Sequence, residues 1–414
     1  MTESVWRDHL LGARWFQGKG RPVGRVSVRP LPWYAEGEVA VRSELATVTV
    51  DGAMEVYHLL VGYLPLADAV PNGWVGRAEL PGRGLVEVVD APRNRRAMAA
   101  FLGAASQSAT MEWYEAPLDP GLATRVLTGE QSNTTVQIGD DVLFKFFRRL
   151  HPGRNPEPEV LAGLAGLAGV PIVPRLVGVL SSPDGAYDLG VACQRVHDAR
   201  DGFTYCVEAC RAGRAITAEM TGLGQALRRL HTGLAEAFGT STIPSATISA
   251  RLLAHLADAA KLVPELDQVR SRLAAALGLP AQSVPVQRVH GDFHLGQTLI
   301  SPTGWTVIDF EGEPLKPIEQ RTAPDAVWRD VAGLTRSLDY ARQTHPDPDG
   351  PAARKWRDEA REAFLDGYLD GTPPPDRLLT AYEADKAIYE WVYELGNRPD
   401  WVGIPRAAVH AMIG

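Results

Sequence analysis

The side chains best suited to chemistry in this 414-residue chain lie between residues 290 and 314. Asp292 precedes the amide side chain of Gln297 by five residues, and Asp309 follows the apolar run of residues 306–308. In phosphoryl transfer, one carboxylate accepts the proton of the attacking hydroxyl, while an amide oxygen and a second carboxylate hold magnesium on the nucleotide. The spacing therefore predicts an ATP- and Mg²⁺-dependent transfer with Asp292 as base and Gln297 and Asp309 as metal ligands.

The two halves of this stretch have the spacing of the protein-kinase catalytic loop and of the Asp-Phe-Gly segment that follows it. Gln297 stands where a protein kinase has Asn, and Glu311 follows Phe310 where a protein kinase has Gly. Either half alone is compatible with an ordinary turn that has an Asp cap. The presence of both halves, with a strand-like run between them, favours the catalytic interpretation.

Composition limits the class of protein. Hydrophobic residues make up 45% of the chain and charged residues 22%, which is typical of a globular protein. The net charge is −8 and no Lys/Arg-rich run marks a nucleic-acid surface, so we expect no nucleic-acid partner. Residues 161–174 form the longest apolar stretch, which is too short for a bilayer, and residues 1–14 lack the apolar core of a signal peptide. We expect a cytoplasmic protein with no membrane contact.

The order of strand-like and helix-like patterns predicts three units. Residues 1–115 begin with alternating apolar strands and contain no catalytic constellation, so we expect a cap that acts as a lid, a scaffold or a partner surface. Residues 116–198 form the predicted nucleotide-binding unit. Residues 199–414 are mainly helical and carry the catalytic stretch, which makes them the predicted C-terminal lobe.

The predicted nucleotide-binding unit contains a hairpin with a polar tip. This tip lacks the glycine pattern of protein kinases, but Ser132, Asn133 and Thr134 offer hydroxyl and amide groups to phosphate oxygens. Polar hairpin tips are also common without a ligand. Farther along, residues 189–197 read as a strand that ends at a linker, and we expect the backbone of Gln194 to Val196 to contact the adenine.

Lys145 lies inside the apolar strand of residues 143–147, where a lysine either extends to solvent or pairs with an acid. In kinases a strand lysine contacts the nucleotide phosphates and pairs with a helix glutamate. The next helix-like segment begins with Glu157 and Glu159. We expect Glu159 to be the partner of Lys145, because it lies farther inside the helix.

Several segments carry a more specific pattern: residues 129–134, 290–297, 309–314, 330–333 with 336–341, and 389–390 through 393–394 to 397–401. Together they closely resemble bacterial maltokinases and the related actinobacterial sugar kinases, among which are glucosamine kinases. The resemblance extends from about residue 5 to the C-terminus. It implies an α+β protein with the bilobal eukaryotic-like kinase fold of aminoglycoside phosphotransferases, an added N-terminal cap subdomain and a mainly helical C-terminal lobe.

The family's roles are carried by matching positions of this chain. Asp292 resembles the catalytic base, Gln297 and Asp309 resemble the magnesium ligands, and Lys145 with Glu159 resembles the pair that anchors the phosphates. These roles agree with the assignments made from spacing. The resemblance implies ATP and Mg²⁺ as cofactors and a small-molecule sugar as substrate, and it leaves the oligomeric state open.

The sugar is expected against the C-terminal lobe, facing Asp292. Flat rings suit the apolar face of a pyranose, carboxylates accept its hydroxyl protons, and crowded carboxylates favour an ammonium group. Residues 318–322 and 395–396 depart from the maltokinase pattern. We therefore expect conversion of glucosamine to glucosamine 6-phosphate, with maltose to maltose 1-phosphate, or a nucleotide-binding pseudokinase, as alternatives. The predicted sugar-site residues are Asp292, His294, Asp339, Tyr340, Tyr389, Glu390, Tyr393, Glu394, Asp400 and Trp401.

Overall fold

The computed structural model of the protein describes residues 1–128, 132–167, 172–313, 316–375 and 377–413. Its internal contacts divide the chain into two compact units, Met1–Leu161 with Pro174–Arg195 and Ala162–Val173 with Val196–Gly414. The predicted boundary at residue 198 lies close to this division. The predicted boundary at residue 115 lies inside the first unit and stays a prediction. No helix in the described ranges is both long and apolar enough to cross a membrane.

The first unit is built mainly from antiparallel strands. Its strands are β1 Val23–Glu36, β2 Ala40–Val50, β3 Ala53–Leu64, β4 Trp74–Leu80, β5 Gly84–Asp90, β6 Met111–Trp113, β7 Thr124–Val126, β8 Thr134–Ile138, β9 Val142–Phe146, β10 Arg149–Leu150, β11 Leu176–Ser181 and β12 Asp188–Gln194. Its helices are α1 Glu3–Gly12 and α2 Arg95–Ala105, and α3 Pro156–Leu164 begins in it. One sheet has the order β1-β2-β3-β5-β4 with β10 beside β3, and the other has the order β6-β11-β12-β9-β8-β7.

The alternating patterns of the first sheet correspond to strands with one face on a core. Aromatic residues from α1, the following loop and β3 fill that core, and Trp15 and Phe16 pack against the ring of Tyr57 at 5.9 and 5.1 Å between centroids. Aromatic side chains bury large apolar areas, so this cluster accounts for much of the sheet's stability. Alternation predicts strands at residues 26–31, 39–50, 54–64 and 85–90, which are confirmed as β1, β2, β3 and β5, whereas β4 was not predicted.

Two short strands connect the sheets of the first unit differently from the sequence prediction. β6 falls within the predicted cap, yet it pairs with β11 in the second sheet. β10 directly follows the predicted hairpin, yet it pairs with β3 in the first sheet. Such exchanges depend on pairing between segments that are far apart in sequence, and periodicity carries no information about them.

The second unit is mainly helical. Its helices are α4 Gly202–Arg211, α5 Thr217–Phe238, α6 Ser245–Leu262, α7 Pro264–Gln268, α8 Arg270–Leu277, α9 Ile318–Thr322, α10 Trp328–Gln343, α11 Pro351–Leu369, α12 Leu378–Asn397 and α13 Gly403–Ile413. Its strands are β13 Arg200–Asp201, β14 Thr240–Pro244, β15 Ser283–Gln287, β16 Thr298–Ser301 and β17 Gly304–Val307. Short 3₁₀ turns cover Leu295–Gln297 and Pro399–Trp401.

Helix α5 has the buried face that its period predicts. Met220, Leu223, Leu227, Leu230 and Leu234 recur at helical spacing and are buried, and each such leucine contributes about 1.5–3 kcal/mol. Two glycines allow α5 and α11 to approach closely. A Cβ on Gly224 would lie 2.2 Å from the carbonyl oxygen of Phe364, and a Cβ on Gly367 would lie 2.1 Å from the carbonyl oxygen of Thr221. The predicted helical region of residues 252–277 is divided into α6, α7 and α8, with Pro264 at the start of α7.

Candidate active site

The hairpin of β16 and β17 brings the two halves of the catalytic stretch together. Thr298 pairs with Val307 in the register of this hairpin, and the Ile308 backbone N–H donates to the Gln297 carbonyl oxygen at 3.0 Å. As a result, Gln297 and Asp309 lie side by side, and Gln297 Nε2 donates to Asp309 Oδ2 at 3.1 Å. Asp309 has a φ of 65°, a left-handed conformation that Asp tolerates better than most residues.

His290 links the same two halves through its imidazole ring. Its Nε2 donates to the Ile308 carbonyl oxygen at 3.0 Å, and its Nδ1 accepts from the Asp292 backbone N–H at 3.3 Å. The ring also packs on Phe310, with centroids 4.8 Å apart. His290 is buried, so its role in the site is to fix the loop that carries Asp292.

Asp330, near the start of α10, holds the backbone of the catalytic loop. Its two oxygens accept the N–H groups of His290 and Gly291, both at 2.8 Å, and Oδ2 also contacts His231 Nε2 at 2.9 Å. Burial opposes the charge of Asp330, but the hydrogen bond and charge of His231 help to lower the pKa of this carboxyl below its usual value. Gly333, one turn later, leaves space for the Phe293 carbonyl oxygen, which a Cβ would approach to 2.3 Å.

From the sequence alone, Asp330 reads as an acid near a helix start that suits the helix dipole, and His231 reads as a helix-surface or packing residue. The structure places both in a buried network, in which His231 Nδ1 also contacts the Tyr368 hydroxyl at 2.8 Å. The sequence does offer a sign of this network. Asp330 and His231 lie at core positions of periodic helices, where a buried polar side chain needs a hydrogen-bond partner.

Asp292, the predicted base, forms an ion pair that the sequence interpretation missed. Lys386 of α12 places Nζ 2.9 Å from Asp292 Oδ1 and 2.9 Å from Glu313 Oε1. Glu313 also contacts Arg329 at 2.9 Å and Lys316 at 2.5 Å. The signal in the sequence was a lysine three residues before Tyr389, on the helix already chosen for the sugar site.

His294 adjoins the predicted base. Its Nε2 lies 4.0 Å from Asp292 Oδ2, and its Nδ1 accepts from the Gly296 backbone N–H at 3.1 Å. Desolvation lowers the pKa of His294, and this effect outweighs the attraction to Asp292 that would raise it. The imidazole is therefore neutral around pH 7, and the assignment of His294 to the sugar site stays a prediction.

The predicted sugar-site carboxylates are close to arginines. Arg336 contacts Glu390 at 2.8 Å and Asp339 at 2.5 Å, and Arg398 contacts Glu394 at 2.6 Å. Their negative charges are thus compensated within the chain. The expectation that crowded carboxylates by themselves favour a cationic sugar loses this support, because an arginine already occupies the position of the counter-charge.

The predicted aromatic residues form two stacked pairs. Tyr340 and Trp401 have centroids 5.9 Å apart with an interplanar angle of 17°, and Tyr389 and Tyr393 have centroids 6.3 Å apart with an angle of 20°. Tyr340 is buried, whereas Trp401, Tyr389 and Tyr393 are half-buried. The half-buried rings keep the surface that a pyranose could cover, and Tyr340 supports Trp401 from within.

In the first unit, Lys145 projects from the half-buried face of β9 and forms an ion pair with an acid of α3. The contact is from Lys145 Nζ to Glu157 Oε2 at 2.9 Å, whereas the sequence predicted Glu159 as the partner. Positions 157 and 159 are about 200° apart around a helix, and they face different neighbours. Glu157 is the buried one of the two, while Glu159 is half-buried.

The polar hairpin tip differs in part from its predicted role. Arg148 Nε donates to Thr134 Oγ1 at 2.8 Å and the Arg148 backbone N–H donates to Asn133 Oδ1 at 3.3 Å, so these buried side chains have partners inside the unit. Ser132 is exposed. Residues 129–131, which belong to the same motif, and Pro314 of the second motif lie outside the described residues.

The predicted adenine linker begins where β12 ends. The Gln194 backbone N–H donates to the Arg175 carbonyl oxygen at 2.8 Å, and the Arg195 N–H donates to that of Asp141 at 2.6 Å. The division of the chain into two units falls between Arg195 and Val196. The position agrees with a linker between units, and the adenine contact stays a prediction.

A strand lysine paired with a helix acid, and a loop that carries Asp292, Gln297 and Asp309, are both features of phosphotransferases of the kinase type. The chain belongs to the phosphotransferase enzyme family, whose model matches residues 123–379. The maltokinase N-terminal cap domain matches residues 9–94. The predicted α+β kinase fold with an added cap and a helical C-terminal region is confirmed.

Two of the relatives found by comparison are glucosamine kinases. That of Streptacidiphilus jiangxiensis is 30% identical over 422 residues, covering 87% of this chain and 91% of the relative. That of Mycolicibacterium smegmatis is 26% identical over 320 residues, covering 70% and 79%. A solved structure of a glucosamine kinase in complex with glucosamine, ADP and inorganic phosphate has a TM-score of 0.69 at 23% identity and covers 99% of each chain, which establishes the shared fold.

Proposed function

We propose that this chain is an ATP-dependent sugar kinase that transfers the γ-phosphoryl group of ATP to the O6 hydroxyl of glucosamine. The observation that carries the proposal is the grouping of Asp292, Gln297 and Asp309 by one hairpin and one anchored loop. Similarity to a glucosamine kinase over most of both chains supports the amino sugar as acceptor. A cytoplasmic location is part of the proposal, because ATP is the donor.

In this mechanism Asp292 accepts the proton of the sugar hydroxyl as its oxygen attacks the γ-phosphorus. The loop that carries Asp292 is fixed at its backbone by Asp330 and through the ring of His290. Such fixation matters because phosphoryl transfer depends mainly on positioning and on electrostatic stabilisation. His294, neutral and next to Asp292, is suited to hydrogen-bond a second sugar hydroxyl.

ATP with Mg²⁺ fits the donor set of the chain. The Gln297 amide and the Asp309 carboxylate offer the oxygen ligands that Mg²⁺ prefers, and their 3.1 Å contact keeps them together. When bound, the metal would neutralise charge on the phosphates. Lys145, which pairs with Glu157, has the charge of a phosphate-binding lysine, and Ser132 offers an exposed hydroxyl. Gln194 and Val196 are kept as the adenine contacts of the proposal.

Maltose is the second candidate acceptor. The match of residues 9–94 to the maltokinase cap domain favours it, and the product would be maltose 1-phosphate. The cap domain matches residues 9–94, whereas the proposed sugar-binding residues lie between residues 292 and 401. The match therefore indicates common ancestry with maltokinases but does not include the sugar-binding residues. We therefore prefer glucosamine.

The test measures ADP release by the full chain with ATP and MgCl₂ and with glucosamine, glucose or maltose, followed by NMR identification of the phosphorylated position. The proposal expects glucosamine 6-phosphate as the main product. In parallel, Asp292→Asn should lower kcat by roughly 10²–10⁴-fold while ATP affinity is unchanged, because shape is kept and the base is lost. Turnover of no sugar would support a pseudokinase instead, and a preference for maltose would support the second candidate.

A further inference from the structure

Lys386 brings a positive charge to the carboxylate that serves as the base in the proposed reaction. Its Nζ lies 2.9 Å from Asp292 Oδ1, and the same atom lies 4.8 Å from the centre of the Tyr389 ring. Only 14% of the Lys386 side chain is exposed. A lysine this buried is stable only with partners, so the contact with Asp292 is a built part of the unit.

Glu313 fixes Lys386 from the other side. This carboxylate is 3% exposed and contacts three cations, namely Lys386, Lys316 and Arg329. Burial opposes ionisation of Glu313, but the three cations outweigh it and hold the pKa of Glu313 well below its usual value. Burial also opposes the charge of Lys386, and the attraction of Asp292 and Glu313 overcomes it and raises the pKa of Lys386. Lys386 and Glu313 are therefore both charged at neutral pH.

The ion pair distinguishes the two oxygens of Asp292. Oδ1 is bound to Lys386, whereas Oδ2 lies 4.0 Å from His294 Nε2. A carboxylate with one oxygen held has a fixed rotamer, and the direction of its other oxygen is then set. Misplacement of a reacting group by about 1 Å is enough to cost roughly 100-fold in rate.

We propose that Lys386 is a positioning residue, which holds Oδ1 of Asp292 so that Oδ2 accepts the proton of the sugar hydroxyl. This inference rests on the proposed function. The O–H bond of the sugar breaks and its proton passes to Oδ2 as the sugar oxygen forms a bond to the γ-phosphorus. The bond from the γ-phosphorus to the bridging oxygen breaks, and ADP leaves with that electron pair.

The chain offers a matched control in Lys316. Lys316 contacts the same Glu313 and lies 6.0 Å from the centre of the same Tyr389 ring, but within the described residues the structure shows no contact of Lys316 with Asp292. Lys386→Met should lower kcat by roughly 10–100-fold with KM for ATP within about twofold. Lys386→Arg should restore part of kcat, and Lys316→Met should change kcat by less than about threefold.

A double-mutant cycle separates positioning from a merely structural role. Because Lys386 acts through Asp292, adding Lys386→Met to Asp292→Asn should cost no further activity. A structural role would instead multiply the two losses. Thermal unfolding of each variant checks folding, and Lys386→Gln, which is polar and uncharged, replaces the Met variant in the cycle if that variant does not fold.

The inference is overturned by wild-type kcat in Lys386→Met, by an equal loss in Lys316→Met, or by multiplied losses in the cycle. These outcomes leave the proposed function intact, since the wild-type protein still phosphorylates its sugar. If the wild-type protein turns over no sugar at all, the proposed function fails and the inference fails with it. Loss confined to Lys386→Met, partial recovery in Lys386→Arg and no further loss in the cycle together establish the positioning role.

Discussion

The guanidinium of Arg148 is fully buried and donates to Asp90 Oδ1 at 2.9 Å, joining the end of β5 to the residue immediately before β10. The same side chain donates to Thr134 Oγ1 and to the His58 carbonyl oxygen. One arginine therefore connects the two sheets of the first unit. Its neighbour Arg149 contacts Glu55 at 3.0 Å with a third of its side chain exposed.

Arg148→Met is expected to lower the free energy of unfolding by about 3–5 kcal/mol, because it removes the nearer of the two arginines that pair with the buried Asp90 and the hydrogen bonds to Thr134 Oγ1 and the His58 carbonyl oxygen. Arg149→Met is the matched control, and its more exposed ion pair should contribute about 1 kcal/mol or less. Urea unfolding followed by tryptophan fluorescence measures both variants. Equal losses in the two variants would contradict the assignment of Arg148 as the connecting residue.

Asp309→Asn is expected to weaken the Mg²⁺-dependent part of nucleotide binding. Asn tolerates the left-handed backbone of position 309, so the substitution removes the charge without adding the strain that Ala would cause. Calorimetry with a non-hydrolysable ATP analogue should show affinity rising with Mg²⁺ in the wild-type protein and much less in the variant.

Gln297→Glu provides the counterpart to this experiment, since it keeps an oxygen at the site and adds charge. It should retain Mg²⁺-dependent binding. If Asp309→Asn and the wild-type protein respond to Mg²⁺ alike, the metal is held elsewhere and the assignment of Asp309 is wrong.

Much of this site follows from local sequence, and the remainder depends on distant packing. Gln297 and Asp309 meet because a short hairpin lies between them, and a hairpin is readable from a strand-turn-strand pattern. Lys386 meets Asp292 across 94 positions of the chain, and no local period encodes that contact. The partner of Lys145 is hard to assign from sequence for a related reason, since helix rotation decides how Glu157 and Glu159 lie relative to β9.

Asp330→Asn is expected to destabilise the protein in a pH-dependent way. The pKa of Asp330 is below its usual 3.8 in the folded protein, so its stabilisation is complete above about pH 4 and is lost as pH falls through the lower folded value. At pH 7 the variant leaves two buried N–H groups with a poorer acceptor, which costs roughly 1–3 kcal/mol for each unsatisfied group. The difference between wild-type and variant should shrink towards pH 3.

The measurement is the free energy of unfolding in urea at pH 7, 4 and 3. Asp258→Asn is the control, because Asp258 is exposed on α6 and pairs with Lys261, which is exposed as well. It should leave the unfolding free energy little changed at each pH. A constant difference between the wild-type protein and Asp330→Asn across this range would show that ionisation of Asp330 does not matter.

The last prediction concerns the acceptor sugar. It tests whether Glu394 of α12 contributes to the choice of sugar, although Arg398 already pairs with it. Glu394 is 1% exposed and paired with Arg398, and Tyr393 beside it is half-buried. If an amino sugar binds here, its ammonium group competes with Arg398 for Glu394, and a charged hydrogen bond of about 1.5–3 kcal/mol corresponds to a preference of roughly tenfold or more for glucosamine over glucose. Glu394→Gln should reduce that ratio of kcat/KM, whereas Glu383→Gln, also on α12 and paired with Arg361, should leave it unchanged.

The measurement is kcat/KM for glucosamine, glucose and maltose with both variants. A preference for maltose together with an unchanged ratio in Glu394→Gln would reject the amino-sugar assignment, because the acid would then have no differential contact with an ammonium group.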